Sequence, residues 1–227
     1  MTGMLASVNS MDEAKIVLAA NIDIIDLKEP ALGALGGLDI SLVKKIVAVV
    51  NGQCPTSATI GDLPMQPESI FNAVKEMAET GVNYVKIGFF SAENQGQVIE
   101  KLTVLTPHFN LIAVLFADTN PDFSLIDSLI AAGFKGIMLD TQDKTKGSLT
   151  GMMAKTEIER FVNHVKSRHA ICGLAGSLRL EDIPLLMPYQ PDYLGFRGAL
   201  CESHHRAGQL NQQLVKNIKQ TIGEFSC

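Results

Sequence analysis

One pattern recurs eight times along this chain and limits what it can fold into. A short apolar run is followed by a turn signal, then by a stretch with helical periodicity. The apolar runs are Met4–Val8, Ile22–Lys28, Thr56–Ile60, Asn83–Gly88, Leu111–Phe116, Gly136–Asp140, Ala170–Leu174 and Asp192–Phe196. Helical stretches are predicted at Met11–Ala20 with Ser10 as N-cap, and from Asp39 or Ser41 to Val50, where Asn51-Gly52 stops the helix. Others run from Pro67 to just before Gly81, and over Ala92–Leu105, Asp122–Ala132, Met152–Arg168, Leu180–Met187 and Leu210–Ile222. Strand and helix in strict alternation imply parallel strands. Eight such units in 227 residues point to a (β/α)8 TIM barrel, a single domain over residues 1–227. An open doubly wound sheet is the alternative.

Composition narrows the function. The formal net charge is −5, with no Trp and three Tyr. That balance argues against nucleic-acid binding, which relies on phosphate neutralisation and aromatic stacking. A small phosphorylated ligand needs only local positive charge and stays open. Cys54, Cys172, Cys201 and Cys227 show neither CxxC nor zinc-site spacing. They read as thiols in a reducing compartment, with no metal site. Met1–Asn9 has no secretory pattern, and no apolar run approaches the ~20 residues that span a bilayer. The expectation is a cytoplasmic protein with no membrane partner.

In a barrel of this type the active site lies at the C-terminal ends of the strands, so the strands that end in charge matter most. Side chains two apart in a strand share a face. Asp26 and Lys28 therefore point one way, and Ile25 and Leu27 the other. By the same alternation Lys86 lies between outward-facing Val85 and Ile87, and Asp140 faces inward at the end of Gly136–Asp140. These are the second, fourth and sixth strands, and alternate strands fill the same layers of a barrel. Lys144 lies on the loop above Asp140, and Lys146 competes with it for that position. Lysines crowded in an apolar cavity lose pKa, and a neutral amine can add to a carbonyl to form a Schiff base. A second lysine or a carboxylate can then move protons at the neighbouring carbon. The plainer reading is a set of salt bridges closing the barrel rim.

Two small-residue turns follow the seventh and eighth strands: Leu174-Ala175-Gly176-Ser177 and Gly195-Phe196-Arg197-Gly198-Ala199. Many barrels bind phosphate at these positions on loop amides. Gly176, Ser177, Gly195 and Gly198 could let an anion approach closely, and Arg197 could supply a fork of donors. Ordinary turns would look the same. Ser57 and Thr59 share one face of the third strand. Asp62 and Asp118 follow strands and suit either ligand contact or helix capping. His204-His205-Arg206 reads as a solvated loop.

Taken together, these segments resemble the (5-formylfuran-3-yl)methyl phosphate synthase family. The resemblance is carried by Ile24-Ile25-Asp26-Leu27-Lys28-Glu29-Pro30, Gly33-Ala34-Leu35-Gly36, Ser57-Ala58-Thr59-Ile60-Gly61-Asp62 and Tyr84-Val85-Lys86-Ile87-Gly88. Met138-Leu139-Asp140-Thr141 and the two turns add to it, so that it spans the first strand to near Cys201. It implies a barrel that condenses two molecules of glyceraldehyde 3-phosphate, losing phosphate and water, to 4-(hydroxymethyl)-2-furancarboxaldehyde phosphate. That product is the furan precursor of methanofuran-type one-carbon carriers. It also implies Lys28 as the Schiff-base lysine, Lys86 as the proton-transfer lysine, and Asp26, Asp140 and Lys144 as supporting groups. No cofactor is implied, and self-association is compatible with it. The rival readings are another Schiff-base triose-phosphate aldolase and a non-catalytic barrel that binds a phosphorylated metabolite.

Overall fold

Eight short strands pair in sequence order, all parallel, and the eighth returns to the first. The computed structural model describes residues 1–225; Cys227, one of the four thiols discussed above, lies outside the described residues. The order is β1 (Gly3–Val8), α1 (Met11–Ala19), β2 (Ile24–Leu27), α2 (Ile40–Val50), β3 (Thr56–Thr59), α3 (Pro67–Ala78), β4 (Tyr84–Gly88) and α4 (Gln95–Leu102). It continues with β5 (Leu111–Phe116), α5 (Leu125–Ala131), β6 (Gly136–Asp140), α6 (Leu149–Met152), α7 (Lys155–Ser167), β7 (Ile171–Leu174), α8 (Ile183–Leu186), β8 (Tyr193–Phe196) and α9 (Gln212–Glu224). The closed sheet is a (β/α)8 TIM barrel, and the open-sheet alternative is excluded by the β1–β8 pairing of Leu5 with Gly195.

Strand alternation sorts the core into two regions. Ile25, Leu27, Val85, Ile87, Ile137 and Leu139 pack outward against the helices. Leu5, Ile24, Ile112, Val114, Phe116, Met138 and Ala175 fill the barrel lumen as a separate apolar cluster. Ile25 and Leu27 are fully buried, and each such side chain stabilises the fold by about 1.5–3 kcal/mol. Leu5, Met138 and Ala175 of this cluster reach the cavity at the C-terminal strand ends.

Local signals set the helix ends. Ser10 accepts the Glu13 amide at 3.2 Å to start α1. Asp39, rather than Ser41, caps α2 by accepting from Ser41 and Leu42. Asn51, in the left-handed region at φ 47°, ends it. The helix expected over Met152–Arg168 is α7, which starts later, at Lys155, after extended Met153 and Ala154, and a separate four-residue helix, α6, precedes it. The Leu149 amide, at the start of α6, donates to the Gly176 carbonyl at 2.8 Å. This bond ties α6 to the turn after β7.

Cys172 and Cys201 are buried and Cys54 is partly so, all as free thiols. Among the described residues no helix is long and apolar enough to cross a membrane.

Candidate active site

The strand ends of β2, β4 and β6 deliver their charged side chains to one cavity of about 510 Å³ at the top of the barrel. Lys28, Lys86, Asp140 and Lys144 all line it. Asp26 lies beneath its floor, fully buried. Its two oxygens accept from Ser7 at 2.8 Å and Ser57 at 2.7 Å, and the Lys86 ammonium sits 2.7 Å from Oδ1. Burial alone would raise the Asp26 pKa, yet the Lys86 and Lys28 charges, with hydrogen bonds from Lys86 and Ser57, bring it below the usual carboxylate value. Asp26 is therefore an anion that fixes Lys86.

Asp140 plays the same part for Lys144, which pairs with its Oδ1. The Thr141 amide also donates to Asp140, at 2.7 Å. Burial opposes ionisation of Asp140, but Lys144 and Lys28 lower its pKa overall. Lys144 is the loop lysine that reaches the cavity. Lys146 stands in solvent, 3.7 Å from Asp143.

Lys28 is placed differently. It follows β2 directly, with its amide donating to the Val8 carbonyl. It is buried, at 6% exposure, and among the described residues its ammonium has no ion-pair partner. Burial lowers its pKa to about 7; the Lys86 and Lys144 charges push the same way, and the Asp140 and Asp26 carboxylates offset only part of the fall. A substantial fraction of Lys28 is thus a neutral amine near neutrality.

Gly176, Ser177, Gly195, Arg197 and Gly198 line the opposite wall. At Gly176 φ is +110°, and a Cβ there would come within 2.8 Å of Thr141 Cγ2, so the turn requires glycine. The Ser177 hydroxyl donates to the Lys144 carbonyl at 3.3 Å.

The expectation for Arg197 is corrected. Its guanidinium does not offer a free fork to an anion. Both Nη atoms donate to Glu13 of α1, Nη1 also donates to Ser7 O, Nη2 to Gly208 O, and Nε to Arg206 O. These bonds use the whole donor set. Arg197 is a buried pillar that holds the loop after β8.

The chain matches the family model for 4-HFC-P synthase over residues 4–219. It belongs to the 4-HFC-P synthase family. A relative from Methanosarcina mazei, the (5-formylfuran-3-yl)methyl phosphate synthase, is 32% identical over 95% of this chain and 97% of its own length. A Methylorubrum extorquens protein provisionally named as the same synthase is 40% identical, over 96% of this chain and 91% of its own. Among solved structures, phosphoribosyl anthranilate isomerase from Thermotoga maritima superposes with a TM-score of 0.71 at 13% identity, covering 99% of this chain and 100% of that one. That likeness shows the fold alone.

Sequence reasoning missed several residues of this 4-HFC-P synthase family site. Ser7 was visible only as a lone polar residue in an apolar strand, and register sets it beside Asp26. Asp62 neither caps a helix nor faces the cavity; it accepts the Ala34 and Leu35 amides at 2.7 and 2.8 Å. Asp118 accepts those of Gln142 and Asp143 at 2.6 and 2.8 Å. Arg206, with His204 and His205, lines the cavity mouth rather than standing apart from it. Among the described residues no cluster of His, Cys, Asp and Glu is arranged to hold a metal ion.

Proposed function

We propose that this chain is a (5-formylfuran-3-yl)methyl phosphate synthase of lyase type. It condenses two glyceraldehyde 3-phosphate molecules with loss of phosphate and water, and Lys28 is the Schiff-base nucleophile. The observation that carries the reading is the contrast among three lysines in one cavity. Lys86 and Lys144 are each matched to a buried carboxylate, whereas Lys28 has none and its pKa falls to about 7.

Each group then has a role its environment suits. Neutral Nζ of Lys28 adds to the carbonyl of one triose phosphate, and loss of water gives an iminium. The iminium acidifies the adjacent C–H; Lys86 passes its own proton to the Asp26 carboxylate it touches and, as the neutral amine, takes the C–H proton. The resulting enamine is the carbon nucleophile for a second aldehyde, and it can also expel phosphate from the neighbouring carbon. The Lys144–Asp140 pair stands where oxygen atoms of the intermediates need proton transfer and charge balance. Hydrolysis of the final imine frees Lys28.

Incubating the purified protein with glyceraldehyde 3-phosphate alone tests this. Release of inorganic phosphate together with a near-ultraviolet furan chromophore is expected. An aldol product without phosphate release would point to a different Schiff-base enzyme. Reversible binding without turnover would point to a barrel that only binds a phosphorylated metabolite.

A further inference from the structure

Arg179 lines the cavity but is exposed. Of the other lysines and arginines there, three are matched by carboxylates: Lys86 by Asp26, Lys144 by Asp140 and Arg197 by Glu13. Lys28 is committed to the carbonyl chemistry. Arg206 is left over. It is partly buried, and among the described residues its guanidinium has no ion pair. It spends one N–H, from Nη2 to the Gly33 carbonyl at 2.9 Å, and the rest of its fork is unspent.

Its position is built rather than loose. From beneath, Arg197 donates to the Arg206 carbonyl at 2.7 Å and to that of Gly208 at 3.1 Å. Across the mouth, Gly33 has φ +128° and a Cβ there would lie 2.1 Å from the Asp62 carboxylate, so the loop that receives Arg206 is itself held. Burial lowers the Arg206 pKa, and Asp140, Asp62 and Glu29 offset part of that fall, but none of them forms a contact ion pair with it among the described residues. A partly desolvated guanidinium without an anion in contact favours one that arrives. Guanidinium is also the group best matched to phosphate oxygens.

We propose that Arg206, whose guanidinium reaches the Gly33 carbonyl on the β2 side of the mouth, anchors the phosphate of one of the two triose phosphates there. The inference rests on the synthase reading, because a condensation of two phosphate esters must seat two dianions in one cavity. The turns of β7 and β8 suit one of them. The mouth between the β8 and β2 loops, under Arg206, suits the other.

Calorimetric titration of the intact protein with inorganic phosphate tests this directly. The wild type should take up two phosphates per chain. Arg206→Gln should lose one of them, or bind it about tenfold or more weakly, and Arg206→Lys should fall between. A second readout separates anchoring from mere stapling of two loops. The preference for glyceraldehyde 3-phosphate over unphosphorylated glyceraldehyde, measured by borohydride trapping, should drop about tenfold in Arg206→Gln. Unaltered phosphate uptake in that variant, or an equal loss with both aldehydes, would overturn the proposal. Absence of furan product from the wild type would count against the synthase reading alone, since the phosphate titration does not depend on turnover.

Discussion

Lys28 differs from the neighbouring lysines in one physical respect: burial without a carboxylate of its own. That sets a pH dependence with a defined sign. In the proposed mechanism the attacking amine is neutral Lys28, whose pKa is lowered to about 7. kcat/KM should therefore fall about tenfold per pH unit on the acid side of that value and level off above it. A profile with no limb between about pH 6 and 8 would contradict the assignment. The sequence made Lys28 and Lys86 visible because a charge in an apolar strand needs a reason. It could not rank them, since the ranking depends on Asp26 reaching Lys86 across the lumen at 2.7 Å.

At the scale of elements, loops after odd-numbered strands hold the lysine-bearing loops after even ones. Asp62, beyond β3, clamps the loop after β2, and Asp118, beyond β5, clamps the loop after β6 just before Lys144. Replacing Asp118 with Ala strips two amides of their acceptor, at about 1–3 kcal/mol for each one that stays unsatisfied. Hydrogen exchange at Gln142 and Asp143 should quicken, and kcat should fall more than KM rises. Exchange as slow as in the wild type would refute the clamp. Such partners are illegible in sequence, because Asp118 and Gln142 lie 24 residues apart and the spacing of a loop carboxylate resembles a cap. The same limit explains Arg197. Its glycine neighbours suggested phosphate, while Glu13, 184 residues away, claims its guanidinium. By contrast β5 and β6 fall at Leu111–Phe116 and Gly136–Asp140, as read from sequence, because uninterrupted apolar runs between turn signals leave little latitude.

Across the whole molecule, the proposed catalytic arrangement competes with stability. Lys28 has a pKa of about 7 in the folded chain against an ordinary value of 10.5. Between those values the unfolded chain binds the extra proton, so folding stability rises with pH there. The destabilising contribution is complete below about pH 7 and vanishes toward 10.5. Lys28→Met should thus be more stable than the wild type near neutrality, on the order of 1–3 kcal/mol, with the gap closing at alkaline pH. Denaturant melts across that range would measure it; a gap that widens with pH would contradict the burial argument. The barrel itself was legible from eight alternations. The proposed mechanism depends on which amine the finished barrel leaves unpaired, and one measurement bears on that most directly: borohydride reduction in the presence of glyceraldehyde 3-phosphate, followed by peptide mass mapping. The account predicts a single stable adduct on Lys28, absent in Lys28→Ala. An adduct on Lys86 or Lys144 instead, or turnover retained in Lys28→Ala, would contradict it.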